Sequence, residues 1–379
     1  MIAADIGDYR TLARRRLPRF LFEYIDGGSY SETTMRRNIE DLQNITLRQR
    51  VMQDVSQVDL STTLFGQAAS MPVALAPVGL AGMYARRGET QAARAAEAAG
   101  VPVILSTMSC CPLEEVRAAV AAPIWFQLYM IRDRVFMADL LARAAEAGVT
   151  TLVLTVDLIV HSPRYRDVRT GLTGSHGPGA QVSRFFDIAR HPAWAWDVGV
   201  HGRPHILGNV ASAMSSGAGL DQFTAWVGRN FDPSVTWKDI DWLRERWKGR
   251  LVVKGILDPE DADAAVRAGA EGLVVSNHGG RQLDGAPSSI AALPLVVEAV
   301  AGRVSVLMDG GVRSGVDVLR ALALGADGVL IGRAWAYALA AQGQRGVARI
   351  LDLLRHEMAV AMALTGQTDV KKLDRSMLR

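Results

Sequence analysis

Four stretches of the chain repeat one arrangement: an Ala-rich run with helical spacing, a glycine, and a short apolar run ending in polar residues. They are AARAAEAAGVPVILST (92–107), ARAAEAGVTTLVLTVD (142–157), AAVRAGAEGLVVSNHGG (264–280) and LRALALGADGVLIGR (319–333). The glycine suits the residue just past a helix, where positive φ stops it. The apolar runs lack the alternation of a half-buried strand, so they predict strands covered on both faces of a parallel sheet. Four further runs bring the strands to eight: PVALAP (72–77), IWFQLY (124–129), RLVVKG (250–255) and RVSVLMDGG (303–311). An open doubly wound sheet would alternate in the same way. Eight units over roughly 270 residues, with no early GxGxxG, favour a closed (β/α)8 TIM barrel.

Two regions stand outside the repeat. Residues 1–70 read as a helical segment covering the bottom or side of a barrel that spans 71–365, with 366–379 as a C-terminal tail. Residues about 168–249 form an insertion after strand 4, a position that sets them over the catalytic face. Within it, Trp194, Trp196 and Trp226 with Arg184, Arg190, Arg203 and Arg229 suggest a surface able to touch anionic lipid. The alternative is that these tryptophans pack on the barrel rim.

Composition narrows the function classes. An apolar content of 49% over 379 residues supports a large core rather than disorder. A net charge of +3, with no dense Lys/Arg face, argues against a nucleic-acid partner. The two cysteines, Cys110 and Cys111, are neighbours, so they staple nothing distant and make no zinc spacing; a reducing compartment and no metal are expected. No apolar run reaches the ~20 residues of a membrane span, and the N-terminus lacks a signal-like apolar region. A soluble or peripheral cytoplasmic protein is the expectation.

In a barrel, chemistry sits at the C-terminal ends of the strands. Strand 1 ends in Ala76-Pro77-Val78-Gly79, a small-residue turn that lets a flat ligand approach the backbone. Strands 2, 3 and 4 end at Ser106, Gln127-Leu128-Tyr129 and Thr155-Val156-Asp157. Asp309-Gly310-Gly311-Val312-Arg313 after strand 7 and Gly332-Arg333 after strand 8 offer backbone N–H groups and guanidiniums where barrels hold phosphate. Lys254, ending strand 5, needs an anionic partner in a buried mouth; a flavin edge would supply one, and a Schiff-base lysine is the alternative. After strand 6, Ser276-Asn277-His278-Gly279-Gly280-Arg281 places an acid/base and a carboxylate clamp on one loop. Asp157 would hold the imidazole, or else serve only as a turn residue.

With SNHGGRQLD in place, the sequence resembles the FMN-dependent 2-hydroxy acid oxidising family, closest to its bacterial quinone-linked lactate-oxidising branch. The resemblance runs nearly end to end, through FLFEYIDGGSYSE, MPVALAPVGLAGMYARRGE, WFQLY, RYRD, HPAWAWDVG, NFDPS, VVKGILDPEDA and DGGVRSG. It implies His278 as active-site base supported by Asp157, and Arg281 binding the substrate carboxylate. Tyr24 would share that carboxylate, Tyr129 would bond the substrate hydroxyl, and Arg164 would be a second arginine nearby. For FMN it implies Ala76, Pro77, Val78, Ser106, Gln127, Thr155, Lys254 and Ser276. Asp309, Gly311, Arg313, Gly332 and Arg333 would surround the ribityl chain and phosphate. It further implies a small L-2-hydroxy acid, L-lactate first, and a homotetramer. Quinone is the implied acceptor, at the cytoplasmic face of the inner membrane, with an O2-using oxidase as the alternative. Met108 stands where some members carry a large aromatic residue, and His161 and Ser162 depart from shorter-chain members; a longer acid such as mandelate is therefore the alternative substrate.

Overall fold

A computed structural model describes residues 2–172, 178–203, 205–213 and 226–379. Eight parallel strands follow the predicted runs: β1 (Val73–Leu75), β2 (Ile104–Ser106), β3 (Trp125–Leu128), β4 (Thr151–Thr155), β5 (Arg250–Ile256), β6 (Gly272–Val275), β7 (Ser305–Asp309) and β8 (Gly328–Ile331). Their hydrogen-bonded order is β1-β8-β7-β6-β5-β4-β3-β2. A bridge between Leu75 and Val103, with the Leu75 N–H donating to the Pro102 carbonyl at 2.9 Å, joins β1 to β2 and closes the barrel. The strands are buried on both faces, as uninterrupted apolar runs require. Ala74, Ile104, Trp125, Val252, Leu307 and Leu330 point into the barrel and fill it. The repeat glycine does what its position predicted: Gly100 adopts φ +69° and ends the helix Gly88–Ala99.

The N-terminal segment forms three helices, α1 (Ile6–Arg16), α2 (Arg19–Asp26) and α3 (Thr33–Asn44). They were expected at the bottom or side of the barrel. Instead α2 and α3 reach its catalytic end, where the Ser29 N–H donates to the Gly280 carbonyl at 2.9 Å. Tyr337, in the long helix Arg333–Leu364, donates to the Asp26 carboxylate at 2.7 Å and ties α2 to the opposite end of the chain. The bottom is plugged by the hairpin Thr62–Leu64 and Gln67–Ala69. Its Phe65 ring packs so closely on Gly272 that a Cβ there would collide with it.

The insertion is shorter than the sequence suggested. Helix Asp239–Arg246 lies just before β5, buries Ile240 and Leu243, and packs on helix Arg134–Glu146, so it belongs to the barrel repeat. The tryptophan reading also needs correction. Trp194 and Trp226 are buried, donating to the carbonyls of Met83 at 2.8 Å and Ala213 at 3.2 Å; of the three, Trp196 alone is exposed, at 65%. Other exposed apolar side chains of the insertion are Val182, Phe185 and Phe186 on helix Pro178–Ala189, and Val200.

Candidate active site

The strand ends, Tyr24 and Ile25 of α2, and Val227 and Phe231 from the end of the insertion enclose a cavity of about 1190 Å³, mouth included. Sixteen of the sequence-predicted residues line it: Tyr24, Ala76, Pro77, Val78, Ser106, Tyr129, Thr155, Arg164, Lys254, His278, Arg281, Asp309, Gly311, Arg313, Gly332 and Arg333. Asp157, Gln127 and Ser276 are not in its wall and stand one layer behind. Ser276 Oγ accepts from Lys254 Nζ at 2.8 Å and from the His278 N–H at 3.0 Å, so it fixes both groups.

The loop after β6 turns sharply enough that His278 itself takes φ +58°, followed by Gly279 and Gly280 at positive φ. A β-carbon on Gly280 would lie 2.6 Å from the α3 backbone at Met35. This conformation turns the imidazole into the cavity, with Nδ1 2.7 Å from Asp157 Oδ1. A carboxylate can only accept, so the shared hydrogen sits on Nδ1, and Nε2 is the ring nitrogen left for a ligand. Burial alone would raise the Asp157 carboxyl; His278 and Lys254 more than offset it and hold the group below the usual carboxylate range.

Two guanidiniums converge beside that base. Arg281 Nη1 donates to the carbonyls of Tyr24 at 2.6 Å and Gly27 at 2.8 Å, and the group lies 4.9 Å over the Tyr24 ring. Arg164 is 6% exposed; among the described residues its Nε has no partner and its nearest carboxylate, Asp167, is 4.0 Å away. Burial and the neighbouring Arg281 both disfavour its charge. A buried cation this poorly matched calls for an anion in the cavity. Tyr129 opens onto the same space and packs on Phe231 at 4.8 Å. Burial and nearby Asp157 push its phenol up, so it remains a hydrogen-bond donor.

Lys254 was expected to find its anion in a ligand. The protein supplies one: Asp309 Oδ2 lies 2.8 Å from Nζ, and this pairing raises the ammonium despite burial. A charged ammonium lacks the lone pair that a Schiff-base lysine needs. Arg333 is a further adjustment. Its Nε, Nη1 and Nη2 donate to the carbonyls of Ile25, Gly279 and Gly27 at 2.8 to 3.0 Å, so three of five hydrogens tie loops together and two remain for a phosphate. Burial pushes its pKa down to about 9, which favours an anionic neighbour.

The residues present fit a flavin nucleotide. Gln127 Nε2, Thr155 Oγ1 and Asp309 Oδ1 are buried around this mouth without partners among the described residues, a costly state that a flat ligand rich in donors and acceptors relieves. Gly311 at φ +88° can carry no side chain, since a Cβ would meet the Asn38 carbonyl oxygen; the loop offers backbone and Arg313 instead.

A (β/α)8 barrel with glycine turns after its last strands, and a histidine–aspartate pair opening with two arginines onto one cavity, fits the class of flavin-dependent oxidoreductases. The sequence pattern of the family described as FMN-dependent dehydrogenase matches residues 13–379, and the chain belongs to that family of FMN enzymes. It is 63% identical over 378 residues to the L-lactate dehydrogenase of Caulobacter vibrioides (strain NA1000 / CB15N), covering 100% of this chain and 98% of that relative. Among solved structures it is similar to the monotopic membrane protein (S)-mandelate dehydrogenase, with TM-score 0.93, 36% identity and full coverage of both chains. It is also similar to a mandelate oxidase, with TM-score 0.84 and 38% identity over 100% of this chain and 98% of that one.

Sequence reasoning missed Asn38, Asp167, Val227 and Phe231. The NFDPS motif marked Phe231 as part of the resemblance without giving it a role. Nothing in the sequence marked Asn38, whose partners lie across the fold.

Proposed function

We propose that the enzyme oxidises an L-2-hydroxy acid, L-lactate first, to the 2-oxo acid and passes the electrons to a quinone at a membrane surface. The observation that carries the reading is the 2.7 Å His278–Asp157 pair opening onto the same cavity as Arg281 and Arg164. Arg281 and Arg164 hold the substrate carboxylate, which fixes the reacting carbon in one orientation. Tyr129 donates to the substrate hydroxyl. His278 Nε2 accepts the proton released on oxidation, and Asp157 stabilises the resulting imidazolium. FMN supplies a two-electron acceptor when bound, with Gln127, Thr155, Lys254, Gly311 and Arg313 as the residues to hold it.

Lactate as substrate is favoured by the full-length relatives carrying that name. A longer or aromatic acid is the second reading, supported by Met108 in the cavity wall and by the mandelate-acting neighbours. Peripheral membrane contact is supported by the exposed Phe185, Phe186 and Trp196 and by the monotopic neighbour; no helix among the described residues is long and apolar enough to cross a membrane. The test is anaerobic mixing with L-2-hydroxy acids while the flavin absorbance is followed, then reoxidation by a quinone or by O2. Bleaching by L-lactate and fast reoxidation by the quinone are expected. No bleaching by any 2-hydroxy acid overturns the reading, and fast O2 turnover with no quinone reaction overturns the acceptor.

A further inference from the structure

One short segment grips Asp157 twice. At its start, His278 Nδ1 donates to Asp157 Oδ1 at 2.7 Å. At its end, the Gln282 carboxamide donates from Nε2 to the Asp157 carbonyl at 2.9 Å and to the Val160 carbonyl at 3.0 Å. The main chain of Gln282 is fixed in turn, its carbonyl accepting from Ser162 Oγ at 2.7 Å. Gln282 is 8% exposed, and its Oε1 has no partner among the described residues. Turning the amide over would set that oxygen against two carbonyl oxygens, so the two donated bonds dictate the orientation. A buried amide that leaves its own oxygen unsatisfied is kept for what its nitrogen holds.

Asp157 depends on that hold. Strand β4 ends at Thr155, so Asp157 lies beyond the strand ladder. Its Oδ2, the oxygen turned away from the imidazole, is buried without a partner among the described residues. No hydrogen bond at Oδ2 sets the tilt of the carboxylate, and its aim follows the main chain. Gly255 of β5 backs it closely: a β-carbon there would lie 2.7 Å from Asp157 Cγ. We propose that Gln282 is a positioning residue for the reaction: its carboxamide holds the Asp157 main chain so that the carboxylate meets His278 Nδ1. Gln282 is not in the wall of the active-site cavity, and it acts through Asp157. The proposal rests on the 2-hydroxy acid reading above and adds to the base and its partner the residue that aligns them. A displacement of about 1 Å in such a constellation lowers a rate by up to about 100-fold.

The test uses the FMN-loaded enzyme with Gln282→Met, which keeps the length of the side chain and removes both donated bonds. Flavin bleaching at saturating L-lactate is followed by stopped flow, and binding of the unreactive carboxylate oxalate by the flavin absorbance. Bleaching is expected to slow about 10- to 100-fold. Oxalate affinity should stay within about threefold, because Arg281 and Arg164 are untouched. In an Asp157→Asn background, adding Gln282→Met should cost less than about threefold, since the residue it acts through has lost its charge already. A bleaching rate within about threefold of the unaltered enzyme overturns the proposal, as does an equal fall in the Asp157→Asn background. Oxalate binding weakened as much as the rate also overturns it, by placing the effect on the arginines. Should Gln282→Met fail to fold, Gln282→Asn, whose amide is a methylene short of both carbonyls, decides by the same criteria. Absence of bleaching of the unaltered enzyme by any 2-hydroxy acid would sink the functional reading. The low-field proton resonance of the His278 Nδ1–H would then judge the positioning: its loss in Gln282→Met upholds the proposal, and an unchanged resonance overturns it.

Discussion

Asn38 and Asn277 exchange two hydrogen bonds through their side-chain amides, at 2.8 and 2.7 Å, across 239 residues of chain. The pair locks α3 to the loop that carries His278, and the Asn38 backbone also abuts Gly311 in the glycine turn after β7. One residue outside the barrel repeat thus positions both the His278 loop and the glycine loop after β7. Asn38→Leu, which keeps the branching but not the amide, leaves the Asn277 amide short of partners at a cost of about 1–3 kcal/mol. The expected result is a lower urea midpoint with faster FMN release, read by flavin fluorescence. Unchanged FMN retention would show that the two loops hold themselves.

His278→Ala is expected to keep its FMN while bleaching by substrate collapses. Asp157→Asn keeps the hydrogen-bonding shape but loses the charge that stabilises the imidazolium, so the bleaching rate should fall about 10²- to 10⁴-fold. Stopped-flow absorbance measures both. A rate within tenfold of the unaltered enzyme for either variant would remove that residue from the chemistry.

Removing Lys254 strands Asp309, a buried carboxylate whose second oxygen already lacks a partner. Lys254→Met should cost about 3–5 kcal/mol. Adding Asp309→Asn should restore most of that stability without restoring flavin reduction. Thermal midpoints and single-turnover rates separate the two effects.

The His161 imidazole, depressed to about 4 when folded against 6.5 when free, makes stability depend on pH. Between those values the unfolded chain binds more protons, so the contribution is complete above 6.5 and is lost as pH falls toward 4. By pH 5 the loss is about 2 kcal/mol. Urea midpoints at pH 5 and 8 should therefore differ less in His161→Phe than in the unaltered enzyme, and an equal difference would argue against a depressed imidazole.

Phe185 and Phe186 are exposed by 68% and 56% on the same helix. Burying one such ring in lipid is worth about 1.5–3 kcal/mol, so replacing both with Ser should weaken binding to anionic vesicles about tenfold or more. Co-sedimentation reads the binding, and turnover with a soluble acceptor should stay unchanged. Undiminished sedimentation would move the lipid-facing surface elsewhere.

The strands were readable in the sequence because a strand buried on both faces needs an unbroken apolar run. The chemistry at their ends was readable because polar residues directly follow those runs. His278 stood out through the two glycines beside it, which permit the turn. The rest depended on distance. Helical spacing says which face of α2 or α3 is buried, but not against which end of the barrel. Asp309 as the partner of Lys254 joins two strand ends 55 residues apart, and each alone is equally consistent with a ligand partner. Trp194 and Trp226 read alike whether facing lipid or core, and only their indole hydrogen bonds to Met83 and Ala213 decide.

The clasp between Asp26 and Tyr337 spans 311 residues and lies next to the segment that supplies Tyr24 and Ile25 to the cavity. Closing so long a loop costs entropy that one hydrogen bond does not repay, so the clasp depends on the packing of the barrel between its ends. The pocket is therefore complete only when the whole molecule is, and capture of the cofactor and final consolidation become one event. Cleaved fragments of this enzyme should be colourless, each holding half a wall and no nucleotide.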